Sequence, residues 1–145
     1  MVHRRARRIL GNHEEAEDAL QEVFVRAIGS AKEFRGEGPA LAWIYRITTN
    51  LCLNRLRQRA THPVVVDPEA VDRLLAGGRK EEDRQAILQI LARQDPLTQE
   101  LALYHYVDGM NMEEVAQVVG YSRKTVGKKL AEFRDEARRM LGDAR

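Results

Sequence analysis

The residues best equipped for chemistry lie in one uninterrupted run. Trp43, Asn50, Asn54 and Arg57 follow one another at spacings of seven, four and three, which on a helix makes a single stripe. An aromatic plane, two amides and a guanidinium in a row can stack on and hydrogen-bond an unpaired nucleobase. Arg46 and Arg59 add positive charge to the same segment. Asn and Arg are also what the wet side of any helix carries, and a Trp at helical spacing commonly belongs to a core. Taken alone, the stripe leaves both readings open.

The element that must position these side chains is a helix from Pro39 to about Arg59. Pro39 suits a first turn, where its missing N–H has no partner to lose, and neither Gly nor Pro follows before Arg59. Leu41, Ile44, Tyr45, Thr48, Leu51 and Cys52 recur at three- and four-residue steps and are expected to face a core. A glycine-broken loop, FRGEGP, leads into the helix from Phe34 and Arg35.

The chain has 145 residues, enough for one ordinary domain or two small ones. Its formal charge of +2 says little, but the distribution is uneven. Residues 1–60 sum to +4, residues 61–110 to −4 and residues 111–145 to +2. Two basic ends around an acidic middle suggest two polyanion-facing modules joined by a segment of different character. The single cysteine, Cys52, excludes an intramolecular disulfide and cannot by itself build a zinc site. Its place on the apolar face reads as a buried small hydrophobe. No apolar run approaches the roughly twenty residues of a membrane span. The opening MVHRRARRIL lacks the apolar core of a signal peptide, so a cytoplasmic protein is the expectation.

In chain order, Val2 to Leu10 reads as a helix closed by Gly11, with Arg4, Arg5, Arg7 and Arg8 giving it a basic surface. Asn12 with Glu15 resembles a capping box. Ala16, Ala19, Leu20, Val23, Phe24, Ala27 and Ile28 then form an amphipathic pattern. The opposite face is acidic, with Glu14, Glu15, Glu17, Asp18, Gln21 and Glu22. The helix dipole favours carboxylates in the first turn but does not explain Asp18 and Glu22. They are either a solvated face or a docking patch for a basic partner. Residues 61–80, punctured by Pro63, Pro68 and Gly77-Gly78, read as a linker, with Val64 to Val66 an extended segment.

From about Lys80 the helical signal returns. Ile87, Leu88 and Leu91 lead to an Asp95-Pro96 start. Leu97, Leu101, Tyr104 and Val107 mark a helix closed near Gly109, and Asn111 with Glu114 caps the next. Val115, Ala116, Val118 and Val119 form that helix's inner face. Gly120 makes a turn, and Ser122 caps a last helix in which Val126, Leu130, Phe133, Ala137 and Leu141 share a face. Met112 to Leu130 thus has the form of a helix-turn-helix. Arg123, Lys124, Thr125, Lys128 and Lys129 on its second helix suit the phosphates and base edges of a major groove. A helical hairpin with an ordinary basic surface is the plainer alternative.

An enzyme is the least supported class. His13, Glu14 and Glu17 are the nearest approach to a ligand cluster, but they sit in a first helical turn, where capping is the expected role. His3, His62 and His105 are scattered, with no paired nucleophile. No metal or cofactor is expected.

The ordered segments EAEDALQEVFVRA, FRGEGPALAWIYRITTNLCLNRLRQR and LTQELALYHYVDGMNMEEVAQVVGYSRKTVGKKLAEFRDEARRML resemble regions two and four of bacterial sigma-70 family factors. The lack of an intervening third domain is similar to the extracytoplasmic function (ECF) group. The resemblance covers nearly the whole chain except residues 61–85. It implies an all-α fold of two small helical domains, region two over 1–60 and region four over 81–145, joined by a flexible linker over 61–80.

It also implies a transcription initiation factor with no catalysis of its own. Asp18, Gln21 and Glu22 would dock on the β′ clamp helices of core RNA polymerase. Phe34, Arg35, Trp43, Arg46, Asn50, Asn54 and Arg57 would open and read the minus-ten element, Phe34 and Asn50 lining the pocket for a flipped base. Arg123, Lys124, Thr125, Lys128 and Lys129 would read the minus-thirty-five element beside the β flap. Promoter DNA and an inhibitory anti-sigma protein, able to hold the factor at the membrane, are the further partners implied.

Two departures stand out. Relatives carry residues ahead of Val2 that complete a first helix, and many have Arg where this chain has Gly127. Gly there costs on the order of 1 kcal/mol of helix propensity and removes a candidate DNA contact. A LuxR-like regulator working without polymerase, or a decoy that binds polymerase or a regulator without touching DNA, are the alternatives that run-off transcription would separate.

Overall fold

The computed structural model describes residues 2–32, 40–59, 68–78 and 80–143, with only the backbone described at Leu41, Glu82, Gln85 and 141–143. Phe34, Arg35, Pro39, Pro63, Val64 to Val66 and the side chains of Leu41 and Leu141 therefore lie outside the described residues. The described residues are helical, without strands: α1 (Val2–Leu10), α2 (His13–Gly29), α3 (Ala40–Arg59), α4 (Pro68–Leu75), α5 (Glu81–Leu91), α6 (Pro96–Ala102), α7 (Met112–Val119) and α8 (Arg123–Asp143). The chain divides into two compact units, Met1–Gln58 and Arg59–Arg145.

In the first unit α1 packs on α2. Gly11, at φ 72°, ends α1 and donates its N–H to Arg7 O at 2.8 Å. Asn12 then caps α2, its Oδ1 accepting from the N–H groups of Glu14 (2.8 Å) and Glu15 (3.3 Å). Ala6, Ile9 and Leu10 of α1 and Ala16, Ala19, Val23 and Ala27 of α2 are buried. Two expectations fail here. Arg5 does not belong to the basic surface: it is only 3 % exposed, with its guanidinium carbon 4.4 Å from the centre of the Tyr45 ring. Phe24 and Ile28 do not join the covered face but stand 52 % and 78 % exposed beside Val25. Periodicity marks the middle of an apolar face; only a neighbour decides how wide an arc is covered.

α3 is enclosed on more than half its girth. Thr48, Leu51 and Cys52 are buried as expected, and so are Thr49 and Leu53. The two threonines are admitted because their hydroxyls donate back to Ile44 O (2.8 Å) and Tyr45 O (2.9 Å). Burial pushes the Cys52 thiol up to about 12, against the opposing charges of Arg55 and Arg5.

In the second unit the segment read as a linker contains α4, which packs on α5 through Ala70, Val71 and Leu74. Arg73 fixes it, donating from Nε (3.2 Å) and Nη2 (3.0 Å) to Oδ1 of the buried Asp83. A helix of eight residues has little stability alone and is held by this packing, so Pro68 at its first position and Gly77-Gly78 beyond its end are the stronger local signal. α5 buries Ile87, Leu88 and Leu91, and Gln99 donates its amide to Leu91 O at 2.8 Å inside the core. Asp95 caps α6 through Thr98, whose N–H (3.0 Å) and hydroxyl (2.7 Å) it accepts. The expected continuous helix to Gly109 instead widens to a π-helical turn over Leu103–Val107, with Asp108 N–H bonded to Leu103 O. α6 and α7 both pack on α8.

Candidate nucleic-acid interface

The helix-turn-helix is built from locally satisfied ends. Asn111 and Glu114 form a reciprocal capping box on α7, with Glu114 N–H to Asn111 Oδ1 at 2.8 Å and Asn111 N–H to Glu114 Oε2 at 3.2 Å. Gly120 ends α7 at φ 78°, a left-handed conformation natural to glycine, and bonds back to Ala116 O at 2.9 Å. Val115, Ala116 and Val119 of α7 are buried with Val126, Leu130, Phe133 and Ala137 of α8. Val118, expected inside, is 39 % exposed.

The five α8 residues singled out from sequence do not share one environment. At about 100° per residue, Lys124 and Lys128 point away from the buried line of Val126 and Leu130, and both are exposed, as is Arg123 nearer the turn. Thr125 is part-buried and serves the helix end: its N–H donates to Ser122 Oγ at 3.1 Å, and the two hydroxyls lie 2.9 Å apart. Lys129 lies on the flank, its Nζ 4.0 Å from Glu132, and its charge also reaches Asp95. Burial pushes the Asp95 carboxyl up, but the Thr98 hydrogen bonds and Lys129 outweigh it and hold the group below its usual value. A Cβ at Gly127 would sit 3.5 Å from Met112 Sδ, so a side chain there leaves the helix alongside α7.

On α3, Trp43, Arg46, Asn50, Asn54 and Arg57 fall within an arc of about 80° on the side opposite Thr48 and Cys52. Asn50 is exposed and the others part-buried. Arg57 Nη2 donates to Asn54 Oδ1 at 2.6 Å, so the pair presents a joined guanidinium and amide. Phe34 and Arg35 lie outside the described residues.

On α2, Asp18 and Gln21 are exposed, but Glu22 is engaged inside the chain. It accepts from Arg55 Nη2 at 2.6 Å and Arg26 Nη2 at 2.9 Å, and the Arg55 hydrogen bond above all lowers its pKa, against desolvation. Arg55 was not legible as Glu22's partner, since no local spacing relates positions in different helices. Nor was the gathering of His3 with His13 and Glu17, where the sequence placed Glu14 in the cluster and His3 apart.

Residues 1–61 match the family model described as Sigma-70 region 2. The chain is 31% identical over 142 residues to the ECF RNA polymerase sigma factor SigM of Mycobacterium tuberculosis, covering 97% of this chain and 71% of that protein. It is 31% identical over 147 residues to the ECF RNA polymerase sigma factor SigE of Mycolicibacterium smegmatis (97% and 57%). To SigW of Bacillus subtilis it is 28% identical over 152 residues (94% and 80%). The chain belongs to the ECF sigma factors of the sigma-70 family. Among the described residues, no helix is long and apolar enough to cross a membrane.

Proposed function

We propose that this chain joins core RNA polymerase and directs initiation at a two-part promoter, with residues 1–60 serving the minus-ten element and residues 81–145 the minus-thirty-five element. The observation that carries this reading is the α8 surface: Lys124 and Lys128 stand exposed on the side of the helix opposite its helix-turn-helix core, and Arg123 is exposed near the turn. Phosphate contacts from these residues would place α8 in the major groove. The outward α3 arc would receive the opened strand. Extruding a base costs a few kcal/mol, which stacking on an aromatic ring and hydrogen bonds from Asn50 can offset. Phe34 and Arg35 belong to this proposal on resemblance.

Asp18 and Gln21, exposed on α2, are the better docking candidates toward the β′ clamp helices, since Glu22 is occupied by Arg55. An anti-sigma protein covering these surfaces would keep the factor idle, at the membrane if the inhibitor is anchored there. Phosphoryl transfer belongs to the polymerase, and this chain supplies no catalytic group. Run-off transcription with core polymerase tests the reading. The wild type should give promoter-specific transcripts, and Asn50→Ala should retain polymerase binding while losing strand opening, read by permanganate reactivity of unpaired thymines. Open complexes of wild-type yield from Asn50→Ala would refute the base-contact assignment.

A further inference from the structure

We propose that His3, His13 and Glu17 form a binding site for a late first-row divalent cation, of which Zn²⁺ is the representative, joining α1 to α2. His3 comes from α1, while His13 and Glu17 are one turn apart at the start of α2. The Gly11–Asn12 turn folds the two helices together and brings the three side chains to one place. His3 Nε2 lies 3.1 Å from Glu17 Oε1, and His13 Nε2 lies 3.7 Å from the same oxygen. The imidazoles meet edge to face with centroids 5.3 Å apart. One ligand atom from each residue lies within 4.8 Å of the others.

These distances suit a small cation. With Zn–N and Zn–O bonds of about 2.0–2.2 Å, ligand atoms around a tetrahedral ion stand about 3.3 Å apart. The two separations to Glu17 bracket that value, and His13, 60 % exposed at its side chain, can rotate to close the third. Two imidazoles and one carboxylate select zinc, copper, nickel or cobalt over magnesium and calcium, which prefer all-oxygen shells. The exposed side of Glu17 and His13 leaves a fourth position for water.

Two further observations favour a ligand. His3 Nε2 is itself shielded from solvent, and its polar neighbour Glu17 Oε1, at 3.1 Å, lies outside hydrogen-bond geometry, so the atom's lone pair or proton is left without a well-aligned partner. The capping role that sequence alone assigns to this cluster is already filled, because Asn12 accepts from both Glu14 and Glu15 N–H groups. His13 and Glu17 are thus not needed to end the helix.

The test is calorimetric titration of the full chain with ZnCl₂, with Co²⁺ absorption reporting coordination geometry. One equivalent should bind, and Co²⁺ should give visible d–d bands. Loss of a group that merely supports a ligand costs about 10–100-fold in affinity, so His13→Ala and Glu17→Gln should each weaken binding at least that much. Both residues are more than half exposed, so the variants should keep the wild-type circular dichroism spectrum. His62→Ala should bind as the wild type does. Absence of saturable binding, or equal affinity in His13→Ala, would overturn the site.

Discussion

Lys128→Ala should flatten the salt dependence of promoter binding, and Lys129→Ala should flatten it much less. Each lysine that neutralises a phosphate adds about 0.9 to the slope of log affinity against log salt. Over a rise from about 50 to 200 mM salt, one such contact accounts for roughly a 3.5-fold loss of affinity. Lys128 is exposed on the side of α8 away from Val126 and Leu130 and is placed to make that contact in full. Lys129 is part-buried beside Glu132 at 4.0 Å and within electrostatic reach of Asp95. Glu132 and Asp95 offset part of its charge, so it has fewer counterions to release. The assay is binding of a fluorescent minus-thirty-five duplex by holoenzyme across a salt series, with the two variants compared at one temperature. An unchanged slope in Lys128→Ala would refute the placement of α8 on DNA, and equal flattening by both variants would refute the neutralisation of Lys129 by its neighbouring acids.

Gly127→Ala should stabilise the second unit, because Ala is better than Gly in a helix by about 1 kcal/mol and its Cβ meets Met112 Sδ at an ordinary 3.5 Å. For a unit of this size that corresponds to about 4–8 °C in Tm by calorimetry; a lower Tm would mean that Met112 cannot make room. The Arg55 hydrogen bond lowers the Glu22 pKa below its ordinary 4.5, so its stabilisation is present above pH 4.5 and fades as pH falls through the folded value. Both ion pairs are substantially exposed, so Glu22→Gln should cost less than about 1 kcal/mol at neutral pH and converge with the wild type in acid; urea titrations at the two pH values test this, and a constant difference would contradict it. Cys52, its thiol pushed up to about 12 by burial, holds far less thiolate than an open cysteine. Iodoacetamide should leave it unmodified in the native protein and alkylate it in denaturant, read by mass spectrometry; rapid native labelling would show that α3 opens.

The two helices proposed to face nucleic acid place their chemistry differently. α8 offers separate exposed charges suited to a duplex surface, whereas α3 is buried on most sides and leaves a narrow amide-rich arc. The buried threonines let α3 sink this far, since each returns its hydroxyl to the backbone and needs no partner from another helix. A stripe held on so enclosed a helix is preorganised, which suits contacts to an unpaired base.

Much of the architecture was legible in local chemistry. The Asn12, Asp95 and Asn111 caps, the Gly11 and Gly120 turns and the Val126-Leu130-Phe133-Ala137 line all depend on neighbours within a few positions, and the structure forms each of them. The α3 stripe and the exposed Lys124 and Lys128 follow from helical period alone. What only the tertiary structure decided is which surface covers which. That choice leaves Phe24 and Ile28 outside, seats Arg5 against Tyr45, turns part of the linker into α4, gives Glu22 to Arg55 and brings His3 to His13 and Glu17. The physical reason is the range of the interactions: caps and turns are satisfied by backbone groups nearby, whereas burial and charge pairing depend on side chains brought in from other helices.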